Sequence, residues 1–146
     1  MLLKPRKISH IRQTKSNNCV AACLAMVTGK DIEQVEFDLK MDGFEAPYTN
    51  EAYIRFLVQN NIFPERIGYT LQGPLLDNTV YLMTCSSPCS AASAHMIVGA
   101  MYKGVMMIKD PSDSLEREKI YSDKGFLEGS IPIFEYLALA DCSPDE

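Results

Sequence analysis

The stretch RQTKSNNCVAACLAMVTGK, residues 12–30, places two cysteines four residues apart at the head of an apolar run. A polar lead-in holding Gln13, Asn17 and Asn18 is followed by CVAACLAMV, and no charge intervenes before Lys30. Residues four apart lie one above the other on a helix. Asn17 or Asn18 before the run and Gly29 after it are start and stop signals. The stretch therefore reads as a buried helix near the N-terminus. Working outward, Asp31 with Gln34 three residues on has the form of a capping box for a second helix through about Met41. A third helix is expected from Thr49 or Asn50 to Gln59, with Tyr53, Phe56 and Leu57 on one face. The segment DGFEAPY, residues 42–48, loops between them.

Beyond these helices the chain changes character. NTVYLMTC (78–85) is apolar and β-branched, and SSPCSAASA (86–94) is a loop of small residues. HMIVGAMY (95–102) and VMMIKD (105–110) flank Lys103 and Gly104 as the two arms of a hairpin. Both arms are apolar on both faces, which places them inside a sheet rather than at its edge. In that pairing opposed residues sum to 207, so His95 and Asp110 share a face as diagonal neighbours. DPSDS is a turn, REKIYS (117–122) a further strand, and IPIFEYLALA (131–140) a strand or short helix. Helices first and an antiparallel sheet second means an α+β fold, N-terminal helices packed against a C-terminal antiparallel sheet. With 146 residues, the chain is expected to form one domain, 1–146.

Composition narrows the function classes. Apolar residues make up 47% and charged residues 23%, a globular balance, and the net charge is −5. A surface that binds nucleic acid needs cations to neutralise phosphates, and KPRK at residues 4–7 is too short to supply it. No apolar run approaches the length of a membrane span, and MLLKPRK lacks the apolar core of a signal peptide. The five cysteines, at 19, 23, 85, 89 and 142, are odd in number. Without a secretion signal they read as reduced thiols of a cytoplasmic protein.

Four readings compete for Cys19 and Cys23. Zinc would need Cys85 and Cys89 as further ligands, but structural zinc prefers short, turn-borne spacings. A disulfide between residues four apart in a helix is geometrically poor. Two small thiols packed in a core helix is the plainest reading. The fourth makes Cys19 a nucleophile: a thiol in the first helical turn is favoured as thiolate by the amides and dipole there, while Cys23 faces the core. Such chemistry also needs a base, an orienting group and an oxyanion donor. His95, Asp110 and Gln13 can fill those roles. His10, the other of the two histidines, reads as a surface or edge residue in a strand. Cys85 and Cys89 read as small residues near the site, and Cys142 lies in a polar tail.

Gln13 six residues before Cys19, followed by CVAACLAM, resembles the Q-x5-C-G-x-A-C-L-A-M signature of the bacteriocin-processing cysteine peptidases. Those are papain-like domains, fused to ABC exporters, that cleave double-glycine leader peptides. HMIVGAMYKGVMMIKDPS is similar to their histidine strand, hairpin and Asp-Pro turn, and the likeness runs over residues 8–113. The resemblance implies a papain-like fold with Cys19 as nucleophile and His95 as base and then acid. It further implies Asp110 as the group orienting the imidazole, and Gln13 sharing an oxyanion hole with the Cys19 amide. It implies a peptide or protein substrate and no cofactor. Two features depart from the family. Val20 stands where the family has glycine, which narrows the cleft expected for double glycine, and no transmembrane or ATP-binding segment follows, which suggests a stand-alone domain. The expected activity is peptide hydrolysis through a thioester. Deamidation or acyl transfer on a partner protein, and peptide binding without turnover, are the alternatives.

Overall fold

The computed structural model describes residues 3, 5, 8–15, 17–68, 75–86, 94–112, 119–122 and 133–141. The architecture is α+β, as the order of patterns predicts. Three helices, α1 (Cys19–Thr28), α2 (Ile32–Met41) and α3 (Asn50–Gln59), precede the strands. These are β1 (Ile62–Gly68), β2 (Thr79–Ser86), β3 (Ala94–Tyr102), β4 (Val105–Lys109), β5 (Lys119–Ser122) and β6 (Ile133–Asp141). Among the described residues they form one antiparallel sheet in the order β1-β6-β2-β3-β4-β5.

Packing, not capping, holds the helices. Asn18, Asp31 and Thr49 occupy the three N-cap positions, and none makes a side-chain capping bond. The expected capping box does not form: Gln34 Nε2 instead donates to Asp38 at 2.8 Å. Each missing cap forgoes about 1 kcal/mol. Burying a leucine contributes about 1.5–3 kcal/mol, and Leu24, Leu39 and Leu57, one per helix, are all fully enclosed. Val20 to Val27 are buried without interruption, so α1 has no solvent face and lies at the centre of the molecule. Gly29 ends it in the left-handed conformation, its N–H donating to the Ala25 carbonyl at 2.9 Å.

The hairpin is as expected. Lys103 and Gly104 both have positive φ, 52° and 76°, the turn that matches strand twist. Tyr102 pairs with Val105, and the register runs back to Val98 opposite Lys109, where it stops. IPIFEYLALA resolves as strand over 133–141, between β1 and β2. The edge strand β1 carried no alternating signal: only Ile62 is buried, and a register shift falls between Pro64 and Arg66.

Both sheet faces are buried. Val80, Leu82, Met96, Val98, Leu137 and Leu139 pack against the helices. The alternate residues, including Tyr81, Met83, Ile97, Met106 and Tyr136, form a second cluster on the other face.

Candidate active site

Parity places His95 with Ile97 and Asp110 with Ile108, on the face turned away from the helical layer. The body of α1 packs on the Met96 and Val98 side. Cys19 reaches His95 by another route. Thr84 opposes Met96 in the β2–β3 pairing, while pairing with β4 ends at Val98. Beyond that point, on the side away from β2, the backbone of Met96 has no strand beside it among the described residues, and α1 fills the gap. Cys23 Sγ donates to the Met96 carbonyl at 3.3 Å, and the Met96 N–H bonds the sulfur of Cys19. One residue of a strand edge thus receives both thiols of the helix, which is why they stand one turn apart.

Their environments differ sharply. Cys23 is fully buried, and burial pushes its thiol well above the ordinary value, the charge of Cys19 adding to the effect. Cys19 is half-buried at the head of α1. Burial raises its thiol, but hydrogen bonding to His95 and to the Met96 N–H, with the His95 charge and the Val20 N–H, brings it below the ordinary value of 9.0. Asn18 leaves those first amides open, because its side chain is turned back. It accepts from the Lys15 N–H at 2.9 Å and donates to Thr14 Oγ1 at 2.8 Å.

His95 Nε2 lies 2.7 Å from Asp110 Oδ1, which leaves Nδ1 for the sulfur of Cys19. Burial lowers the His95 pKa, yet the hydrogen bonds and charges of Asp110 and Cys19 outweigh it and raise it to about 9. Burial likewise acts to raise Asp110, while His95 and the N–H and hydroxyl of Ser112 hold it down at about 2. Cys19, His95 and Asp110, drawn from α1, β3 and the turn after β4, therefore meet as one hydrogen-bonded series.

Gln13 is placed nearby but turned aside. Its Nε2 donates to the Lys15 carbonyl at 2.8 Å, its own N–H donates to the Pro111 carbonyl at 2.8 Å, and its buried Oε1 has no partner. The side chain does not line the cleft at Cys19. His10 is not in a strand. Its Nε2 bonds the Asp110 carbonyl at 2.7 Å, so it supports the turn that carries the carboxylate. No local pattern could have paired residues 100 positions apart. Cys85 is buried directly opposite His95 on β2. Burial, with the charges of Asp110 and Cys19, lifts its thiol to about 11. Cys89 and Cys142 lie outside the described residues. Among the described residues no three His, Cys, Asp or Glu side chains converge as metal ligands.

A cleft of about 310 Å³ opens at Cys19 and His95, walled by Val20, Pro47, Tyr48 and Tyr53. Neither a scan against protein-family models nor a search of curated proteins found a match. Val20, the position that departs from the sequence signature, is among the residues lining the cleft beside Cys19. Asn50, Tyr53 and Thr84 form the far side of the cleft, where Asn50 and Tyr53 hydrogen-bond Glu135. The sequence signalled none of that group, since Glu135 is one acidic residue within an otherwise apolar run of β6. No helix among the described residues is long and apolar enough to cross a membrane.

Proposed function

We propose that this chain is a cysteine peptidase of papain-like type that cuts a peptide bond through a thioester. The observation that carries the reading is the series Cys19–His95–Asp110 at the mouth of a cleft, with Cys19 lowered and His95 raised. Opposite shifts of this kind favour a thiolate–imidazolium pair, the nucleophilic form of the couple. The thiolate attacks the scissile carbonyl, forming a C–S bond as the carbonyl π electrons move onto oxygen. The amides at the head of α1 stabilise that oxyanion, and the Gln13 amide joins them only by swinging from the Lys15 carbonyl toward the cleft. His95 gives its proton to the departing amine as the C–N bond breaks, leaving an acyl thioester on Cys19. Water then attacks with His95 taking its proton, and the carboxylic acid leaves as Cys19 recovers its electron pair. Asp110 holds the imidazole in one orientation throughout.

One observation favours a second reading. The Gln13 amide is committed to the Lys15 carbonyl and lies outside the cleft, which suits a site that binds peptides without turning them over. Iodoacetamide labelling at pH 6, with mass mapping of the modified residue, tests the nucleophile itself. A free thiol of pKa ~8.5 reacts little at that pH. Labelling of Cys19 within minutes, with Cys23 and Cys85 protected, is the expected result. Slower labelling of Cys19 than of Cys85 removes the assignment.

A further inference from the structure

The charge around the cleft is one-sided. Apart from the Cys19–His95 couple, no described residue lining it carries a formal charge. Immediately behind the lining stand carboxylates. On the Tyr53 side, Glu135 receives Asn50 Nδ2 at 2.7 and 2.9 Å on its two oxygens, and the Tyr53 hydroxyl at 3.1 Å. On the Tyr48 side, Glu36 and Glu45 line a neighbouring pocket together with that tyrosine, and burial, with their charges, raises its pKa. Glu36 is shared with the exposed Lys15 at 3.4 Å. Among the described residues no Lys, Arg or His pairs with Glu135 or Glu45.

We infer that the cleft selects a cationic peptide, with a Lys or Arg side chain close to the reacting carbonyl that is drawn to Glu135 at the Asn50–Tyr53 wall. This deepens the peptidase reading and rests on it. Neutral donors, the Asn50 amide and the Tyr53 hydroxyl whose one proton is shared with Asn50 Oδ1 at 2.6 Å, hold the Glu135 carboxylate in place without cancelling its charge. Its potential therefore extends into a cleft walled by Val20, Pro47 and aromatic rings, where solvent screening is weaker than at an open surface. Asn50 and Tyr53 act as the rigid mount of this charge. The net charge of −5 reinforces the preference at longer range.

The test uses capped tripeptidyl acyloxymethyl ketones, with Lys, norleucine or Glu placed in turn at the three positions before the electrophile, and reads the rate of covalent capture of Cys19. At one position Lys should react about tenfold or more faster than Glu, with norleucine between them. Glu135→Gln keeps the shape and removes the charge, so it should shrink the Lys-to-Glu ratio several-fold. Raising the salt from 20 to 500 mM in the unaltered protein should shrink it too, because Coulomb preference is screened. Equal rates for Lys and Glu at every position, or a ratio unchanged by both Glu135→Gln and salt, overturns the inference. Iodoacetamide, which is uncharged, separates the two levels. If it labels Cys19 at pH 6 while the tripeptides show no charge preference, the nucleophile stands and the cationic selectivity falls. If it fails to label Cys19, both fall.

Discussion

At the scale of the residue, the two thiols separate function from stability. Cys19 looks into a cleft and Cys23 into the core, so removing each should be read by different instruments. Cys19→Ala should abolish turnover and leave the melting temperature nearly unchanged. Cys23→Ser keeps a donor for the Met96 carbonyl but places a hydroxyl among apolar neighbours, and should cost about 1–3 kcal/mol in denaturant unfolding. A larger loss of stability for Cys19→Ala than for Cys23→Ser would mean that the two roles are exchanged. Gln13→Ala is the sharper variant. If its second N–H meets the oxyanion, kcat should fall roughly 10²–10³-fold with KM little changed. A fall of less than threefold would leave the oxyanion to the α1 amides alone. The residues that meet at the candidate site were legible because cysteines and histidines are few and each was tied to a pattern. The direction of the Gln13 side chain was not, because it depends on a turn that Asn18, Thr14 and Lys15 build among themselves.

At the scale of the element, the site exists because β4 is shorter than β3. Pairing stops at Val98, Met96 turns an unpaired edge to α1, and the helix terminus enters where a strand would have continued. The hairpin parity that puts His95 and Asp110 on one face was readable from the sequence, since it needs only the turn at Lys103 and Gly104. The side from which Cys19 approaches was not, because it depends on where a ladder ends. The edge strand β1 was hidden for a related reason: a strand that buries one residue in seven has no alternation to read. The tie between the N-terminal segment and the Asp-Pro turn gives a prediction at this scale. His10 bonds the Asp110 carbonyl and the Gln13 N–H bonds that of Pro111, so residues 10–13 fix the turn from outside the cleft. His10→Ala should lower kcat about tenfold with KM little altered, and His10→Gln, which keeps a donor, should recover part of it. The alkaline limb of the pH profile, set near 9 by the Asp110-supported imidazolium, should move downward in His10→Ala as the carboxylate loosens. An unchanged limb with reduced thermal stability would make His10 a structural tether only.

At the scale of the whole molecule, the Asp110–His95 contact joins the turn after β4 to β3, and its electrostatics bear on global stability as well as on chemistry. Asp110 is held at about 2 in the folded chain, below the ~3.9 of an unfolded aspartate. A depressed carboxyl contributes stability that is present above the unfolded value and is lost as the pH falls through the folded one. His95, at about 9 when folded, behaves in the opposite sense: its contribution is full below the unfolded value of ~6.5 and is lost as the pH rises through 9. Cys19, lowered in the folded state, gains over part of that same alkaline window what His95 loses, because a depressed thiol is most favourable above its unfolded value. The two partly cancel there, and Cys23 and Cys85, both raised, subtract further above it. The acid limb is therefore the clean one. Urea unfolding between pH 4 and pH 2 should show the unaltered chain losing about 2 kcal/mol more than Asp110→Asn, since the variant has no carboxylate to protonate. The other acidic residues are common to both proteins and drop out of the difference. Parallel stability curves over that range would mean that neither the 2.7 Å bond to His95 nor the Ser112 N–H and hydroxyl depresses the Asp110 carboxyl, and that its ionisation contributes nothing to the fold.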